Sequence, residues 1–156
     1  MGASEPTSMP LSTRIRRPAA GTTSDLGLID TSVAVALELL DLSRLPFVSA
    51  VSALTLAELN SGLYAAPDEA ERARRQSNLQ QMESKVLTLP FDSVCARAFG
   101  RVFAAVAAIG RKPRGPRSID LMIAATALAH QLPLYTLNAA DLRGLGELIE
   151  IVDLGQ

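Results

Sequence analysis

The chain has 156 residues, 48% of them hydrophobic, which is enough for one domain with a sizeable buried core and short for two. Against 15 Lys and Arg stand 16 Asp and Glu, a formal net charge of -1, so no overall field directs the protein to nucleic acid or a membrane. A single cysteine, Cys95, excludes an intrachain disulfide, and among Val94, Ala96 and Ala98 it reads as a small buried hydrophobe suited to a reducing cytoplasm.

Residues 1–25 are rich in Ser, Thr, Pro and Gly, and no apolar block follows Arg14, Arg16 and Arg17, so a flexible tail is expected there and not a secretory signal. From Leu26 onward, short β-like runs alternate with helical patterns. The expected order is strand Leu26–Ile29, a helix near Val33–Leu40, strand Phe47–Ser49, helix Leu54–Ala65, helix Asp68–Ser84, and strand Lys85–Leu89. Helix Ser93–Ile109, helix Leu121–His130, strand Pro133–Thr136, a short helix after Asn138 and strand Ile149–Val152 complete it. Such alternation predicts an α/β fold, a mainly parallel sheet of about five strands covered on both faces, with the carboxyl ends of the strands along one edge. Its longest apolar run, Val102–Gly110, is too short to cross a bilayer. The helix Asp68–Ser84 is the polar exception, either solvated or completed by a partner chain. His130 closes an apolar helix where a cation suits the dipole, and no second His or Cys stands at ligand spacing.

Four acids stand out in this frame. Asp30 ends the first strand in LGLIDTS, with Thr31 and Ser32 beside it. Glu58 lies in LTLAEL, on the helix after the second strand, among small and apolar neighbours and not the basic partners a surface Glu favours. Asp120 precedes the helix Leu121–His130, apolar nearly all round, and Asp141 follows the fourth strand in TLNAADL. Singly, each Asp is explained as a helix cap, and Glu58 as a surface residue. Together they would meet at one sheet edge, where like charges raise one another's pKa unless a cation neutralises them. Mg²⁺ or Mn²⁺ suits such a site, taking one or two carboxylates and filling its shell with water.

The loop Arg111-Lys112-Pro113-Arg114-Gly115-Pro116-Arg117 runs into Asp120 with four cations in seven residues. Arg111, Lys112, Arg114 and Arg117 are candidates for holding substrate phosphates beside the acids; a solvated basic loop is the alternative.

These motifs, in this order, resemble the PIN domain, and specifically the VapC-type toxins of bacterial toxin–antitoxin pairs. The residues that carry the resemblance are LIDTS, LAEL, the helix and strand DLMIAATALAHQLPLYT from Asp120 to Thr136, and Asn138 to Leu142, within a match from Leu26 to Asp153. It implies a PIN-like α/β/α sandwich over residues 26–156, a Mg²⁺- or Mn²⁺-dependent endoribonuclease, a homodimer, and neutralisation by a VapB-type antitoxin. By motif position the catalytic acids fall on Asp30, Glu58, Asp120 and Asp141, with Asp30, Asp120 and Asp141 nearest the metal and Thr31, Ser32 and Asn138 in support. Many relatives read Asn-x-x-Asp-Phe at the last motif where this chain has Leu142, and others place an acid at the position of Asn138, so either Asn138 or Asp141 stands as the fourth site residue.

The expected chemistry is attack of a metal-activated water on an RNA phosphate, expelling the 3′ oxygen and leaving a 5′ phosphate. A catalytically silent PIN-like module that grips RNA or protein is the rival reading. Phosphatases with a strand-end Asp want a second Asp where Ser32 stands, and receiver domains want an acidic pair and a later lysine that are absent.

Overall fold

A computed structural model describes residues 25–156; the tail expected over residues 1–25 lies, but for Asp25, outside the described residues. The chain forms β1 (Leu26–Ile29), α1 (Thr31–Ala36), β2 (Val48–Ser52), α2 (Ala53–Tyr64), α3 (Glu69–Glu83), β3 (Leu87–Leu89), α4 (Ser93–Ala108), α5 (Ser118–His130), β4 (Leu134–Thr136) and β5 (Ile151–Asp153). Short 3₁₀ turns at Leu37–Leu39, Leu42–Arg44, Gly115–Arg117 and Ala139–Leu142 fill the connections.

All five strands are parallel, in the order β3-β2-β1-β4-β5. Alternation along each strand sends successive residues to opposite faces. Leu28, Ala50 and Leu134, cross-strand neighbours, pack against Val102 and Val106 of α4 and Leu121, Ile123 and Ala124 of α5. Ile29, Val51 and Tyr135 belong to the opposite face with Val33 and Ala34 of α1 and Leu79 and Met82 of α3. The expected α/β/α sandwich is therefore present, and burial of both faces explains the near-continuous apolar strands.

The boundaries that differ have local causes. Strand β2 extends through Ala50, Val51 and Ser52, all fully buried, while Phe47 lies outside it at 90% exposure. Helix α1 begins two residues earlier than its apolar pattern, because Asp30 caps it, and gives way to a 3₁₀ turn after Ala36. Helix α3 buries only Leu79 and Met82, and its solvent face carries Glu71 between Arg74 and Arg75 at 2.7 and 2.8 Å. Two hydrogen-bonded guanidinium groups hold the Glu71 carboxyl down at about 2.

One glycine has a packing reason. A Cβ on Gly27 would lie 2.5 Å from Cε2 of Tyr135 and 3.0 Å from Cγ of Pro46, so the buried tyrosine ring covers a backbone position that admits no side chain.

The strand order places the site. From β1 the chain moves outward through β2 to β3, then returns to lay β4 on the other side of β1. At that switch point the loops leaving β1 and β4 diverge, opening a crevice at their carboxyl ends.

Candidate active site

Asp30 follows β1 and is the N-cap of α1, with extended backbone (φ -81°, ψ 178°). Its Oδ1 accepts from the Val33 amide at 3.1 Å and from Ser32 Oγ at 2.5 Å. Ser32 Oγ in turn accepts from the amide of Leu137 at 3.1 Å, tying the start of α1 to the loop leaving β4. The capping explanation of Asp30 thus holds locally, and it fixes one carboxylate oxygen while the residue faces the crevice.

Thr31 turns the other way. Its hydroxyl lies 2.6 Å from Glu58 Oε1 and 3.1 Å from Oγ1 of the fully buried Thr55, so α1 and α2 are joined through hydroxyl and carboxylate. Helix α2 starts at Ser52, whose Oγ accepts from the Leu54 amide at 3.2 Å and lies 3.3 Å from Thr126 Oγ1 on α5. These contacts orient the helix bearing Glu58 toward the helix bearing Asp120.

Asp120 occupies the first turn of α5, which begins at Ser118 and not at Leu121 as the apolar run alone predicts. Partial burial is the main cause that pushes its carboxyl up to about 6; next come the negative charges of Glu58, Asp30 and Asp141, with Arg117 opposing them. Three acids from three other segments of the chain therefore act on Asp120.

A cavity of about 40 Å³ is lined by Asp30, Ser32, Asp120, Thr136, Asn138 and Asp141, with Leu134 and Leu142 as its apolar wall. Glu58 does not line it; its charge acts on Asp120, and its carboxylate accepts from Thr31, the neighbour of Asp30 in sequence. Asn138 and Asp141, the two alternatives for the fourth position, both line it, at the start and in the body of the 3₁₀ turn after β4. Thr136 was not singled out by motif: it is 1% exposed, accepts from the Asn138 amide at 3.0 Å, and stands at the same strand end as Asp30 one strand over. Thr55 was missed as well, although it lies one helical turn before Glu58.

The donor set is hard oxygen throughout. Among the described residues no group of three or more His, Cys, Asp or Glu side chains is placed to hold a metal ion by itself. Oxygen donors without His or Cys, such as line this cavity, are the chemistry that Mg²⁺ or Mn²⁺ takes, with few protein ligands and water completing the shell, and not that of zinc.

The four loop cations divide. Arg111 donates from Nη1 to the carbonyls of Ala140 and Asp141 at 3.0 and 3.2 Å, with Nη2 3.9 Å from Asp141 Oδ1. Arg114 stacks over Phe103, 5.8 Å from the ring centroid. Arg117 ends the 3₁₀ turn before α5, and Lys112 is exposed. Away from the site, Cys95 is buried with its thiol 3.6 Å from the Pro90 carbonyl, and burial raises its pKa, as expected of a structural cysteine. Among the described residues no helix is long and apolar enough to cross a membrane.

Comparison with known proteins gives the family of the fold. The PIN domain family matches residues 27–145, and the chain belongs to that family. It is 38% identical to Ribonuclease VapC5 of Mycobacterium tuberculosis over 118 residues, covering 74% of this chain and 84% of that protein. It is 28% identical to Ribonuclease VapC of Rickettsia bellii over 126 residues, 78% of this chain and 91% of the relative. Among solved structures, the crystal structure of VapBC-5, a toxin–antitoxin family member from M. tuberculosis, superposes with a TM-score of 0.68 at 33% identity, covering 83% of this chain and 99% of that one.

Proposed function

We propose that the protein is a VapC-type toxin: a Mg²⁺- or Mn²⁺-dependent endoribonuclease that cuts structured cellular RNA, transfer or ribosomal, in the cytoplasm and is neutralised by a VapB-type antitoxin. The observation that carries the reading is Asp120, whose carboxyl is driven up to about 6 by burial and by three acids brought in from β1, α2 and the turn after β4. Such a cluster is costly to the fold and is expected where a cation is to be bound. The likeness to ribonucleases of the VapC type and to a VapBC structure supports the class of activity and the antitoxin partner. A homodimer is the assembly we propose.

Asp30, Asp120 and Asp141 would hold the ion together with its waters, and Glu58 would add negative charge to the site. A bound divalent ion supplies a water of lowered pKa and offsets charge on the scissile phosphate. Ser32 and the Val33 amide occupy Oδ1 of Asp30, which fixes the carboxylate of a residue that lines the cavity. Thr31 does the same for Glu58, and Asn138 lines the opposite wall. Lys112, Arg114 and Arg117 hold flanking phosphates along the loop into Asp120. Water adds to phosphorus in line, the P–O3′ bond breaks, and the products are a 5′ phosphate and a 3′ hydroxyl. No side chain serves as a covalent nucleophile.

The test is incubation of antitoxin-free protein with total RNA, in Mn²⁺ or in chelator, with sequencing of new 5′ ends. Discrete cuts bearing 5′ phosphate in Mn²⁺ alone are expected. RNA retained on the protein without cuts would identify a silent binding module instead.

A further inference from the structure

We infer that Arg111 is a positioning residue, which holds the turn carrying Asp141 in register with the other acids and does not grip substrate phosphate. This rests on the metal-dependent nuclease reading above. The basic loop looks uniform in sequence, yet Arg111 is set apart from its neighbours: its side chain is 20% exposed and its guanidinium is spent on protein oxygens. One nitrogen bridges two successive carbonyls, Ala140 at 3.0 Å and Asp141 at 3.2 Å, and the other faces the Asp141 carboxylate at 3.9 Å.

The turn Ala139–Leu142 needs such a clamp. A four-residue 3₁₀ turn satisfies few of its own carbonyls, and within it the Asp141 amide reaches back to the Asn138 carbonyl at 2.9 Å. Buried Leu142 anchors one side of the turn; Asp141 itself is exposed. The clamp is rooted in the rigid end of α4, where the Arg111 amide donates to the Val106 carbonyl at 3.2 Å. A second contact presses the same segment onto that helix. Gly144 has φ +92°, and a Cβ there would lie 3.0 Å from Cδ1 of Ile109 and 3.3 Å from the Ala105 carbonyl. The end of α4 and the residues just after it thus meet this segment twice, at Gly144 and at the Asp141 turn, the latter through a planar fork that lysine cannot reproduce.

The experiment compares Arg111→Ala and Arg111→Lys with the parent and with Lys112→Ala, reading hydrogen exchange without RNA or metal, then kcat and KM for a cleaved RNA. Both Arg111 variants are expected to speed exchange of the Asp141 and Leu145 amides by about 10-fold or more, with strand amides unchanged. Their kcat should fall by on the order of 10²-fold, the loss that follows about 1 Å of misplacement, with KM within about twofold. Lys112→Ala should show the reverse, a raised KM with kcat retained. Unchanged exchange in both Arg111 variants, or a rise in KM with kcat intact, overturns the assignment. A parent that cuts no RNA sinks the nuclease reading alone, because the exchange measurement still judges the clamp.

Discussion

The Thr31 hydroxyl donates to Glu58 Oε1 at 2.6 Å across 27 positions of sequence, joining the first turn of α1 to the middle of α2. Glu58 is half-buried and Thr55, the other neighbour of that hydroxyl, is fully buried. Thr31→Val keeps the shape and removes the donor, so the carboxylate loses its orientation and a hydrogen bond worth about 1–2 kcal/mol. The variant should unfold at lower urea and cut RNA about 10-fold more slowly. Thr31→Ser should recover most of both; a valine variant as active as the parent would remove Glu58 from the site.

Asp120 gives a pH dependence whose sign is fixed. Its folded pKa of about 6 lies above the ordinary 3.8, so the folded state favours the protonated acid. The stability from that preference is complete below about pH 4 and is lost as pH rises through 6. Asp120→Asn, neutral at every pH, should therefore be more stable than the parent at pH 7.5 without divalent ion. Because the residue is only partly buried, solvent screening limits the gain to about 1–2 kcal/mol. Urea denaturation at pH 7.5 and pH 3.5 measures it. Equal stability at pH 7.5 would mean that neither burial nor the neighbouring acids penalise the Asp120 carboxylate.

A divalent ion should remove the same cost. At pH 7.5, Mn²⁺ at 100 times its dissociation constant is expected to stabilise the parent by about 2.7 kcal/mol. The effect should shrink in Asp30→Asn and Asp120→Asn, and fade toward pH 5 as Asp120 takes up a proton. A thermal melt that Mn²⁺ shifts equally in parent and variants would place the ion elsewhere.

Gly27→Ala probes the packing under the site. Its Cβ would come within 2.5 Å of the Tyr135 ring, which is 1% exposed and has no open space to enter. Overpacking of this kind costs about 1–3 kcal/mol. An alanine variant with an unchanged urea midpoint would show that β1 and the ring can part without penalty.

The strands were legible because burial on both faces leaves apolar runs such as Leu26–Ile29 and Leu134–Thr136 between polar loops. The sequence pattern cuts strand β2 short because Ala50, Val51 and Ser52 are small enough to pass for the start of the following helix. The acids were legible through their motifs, since Asp30, Asp120 and Asp141 each mark a boundary between elements. What the sequence hid are contacts between distant positions: Thr31 with Glu58, Ser52 with Thr126, and Arg111 with the Asp141 turn. A run of four cations shows its charge but not that one of them has turned inward.

The most direct measurement is the rate of RNA cleavage by Asp120→Asn at saturating Mn²⁺, taken beside its urea midpoint at the same pH. The account expects a variant at least as stable as the parent that cuts on the order of 10²-fold or more slowly, since an acid that destabilises the fold is retained for the reaction. A folded Asp120→Asn protein that cuts RNA at the parent rate would contradict it.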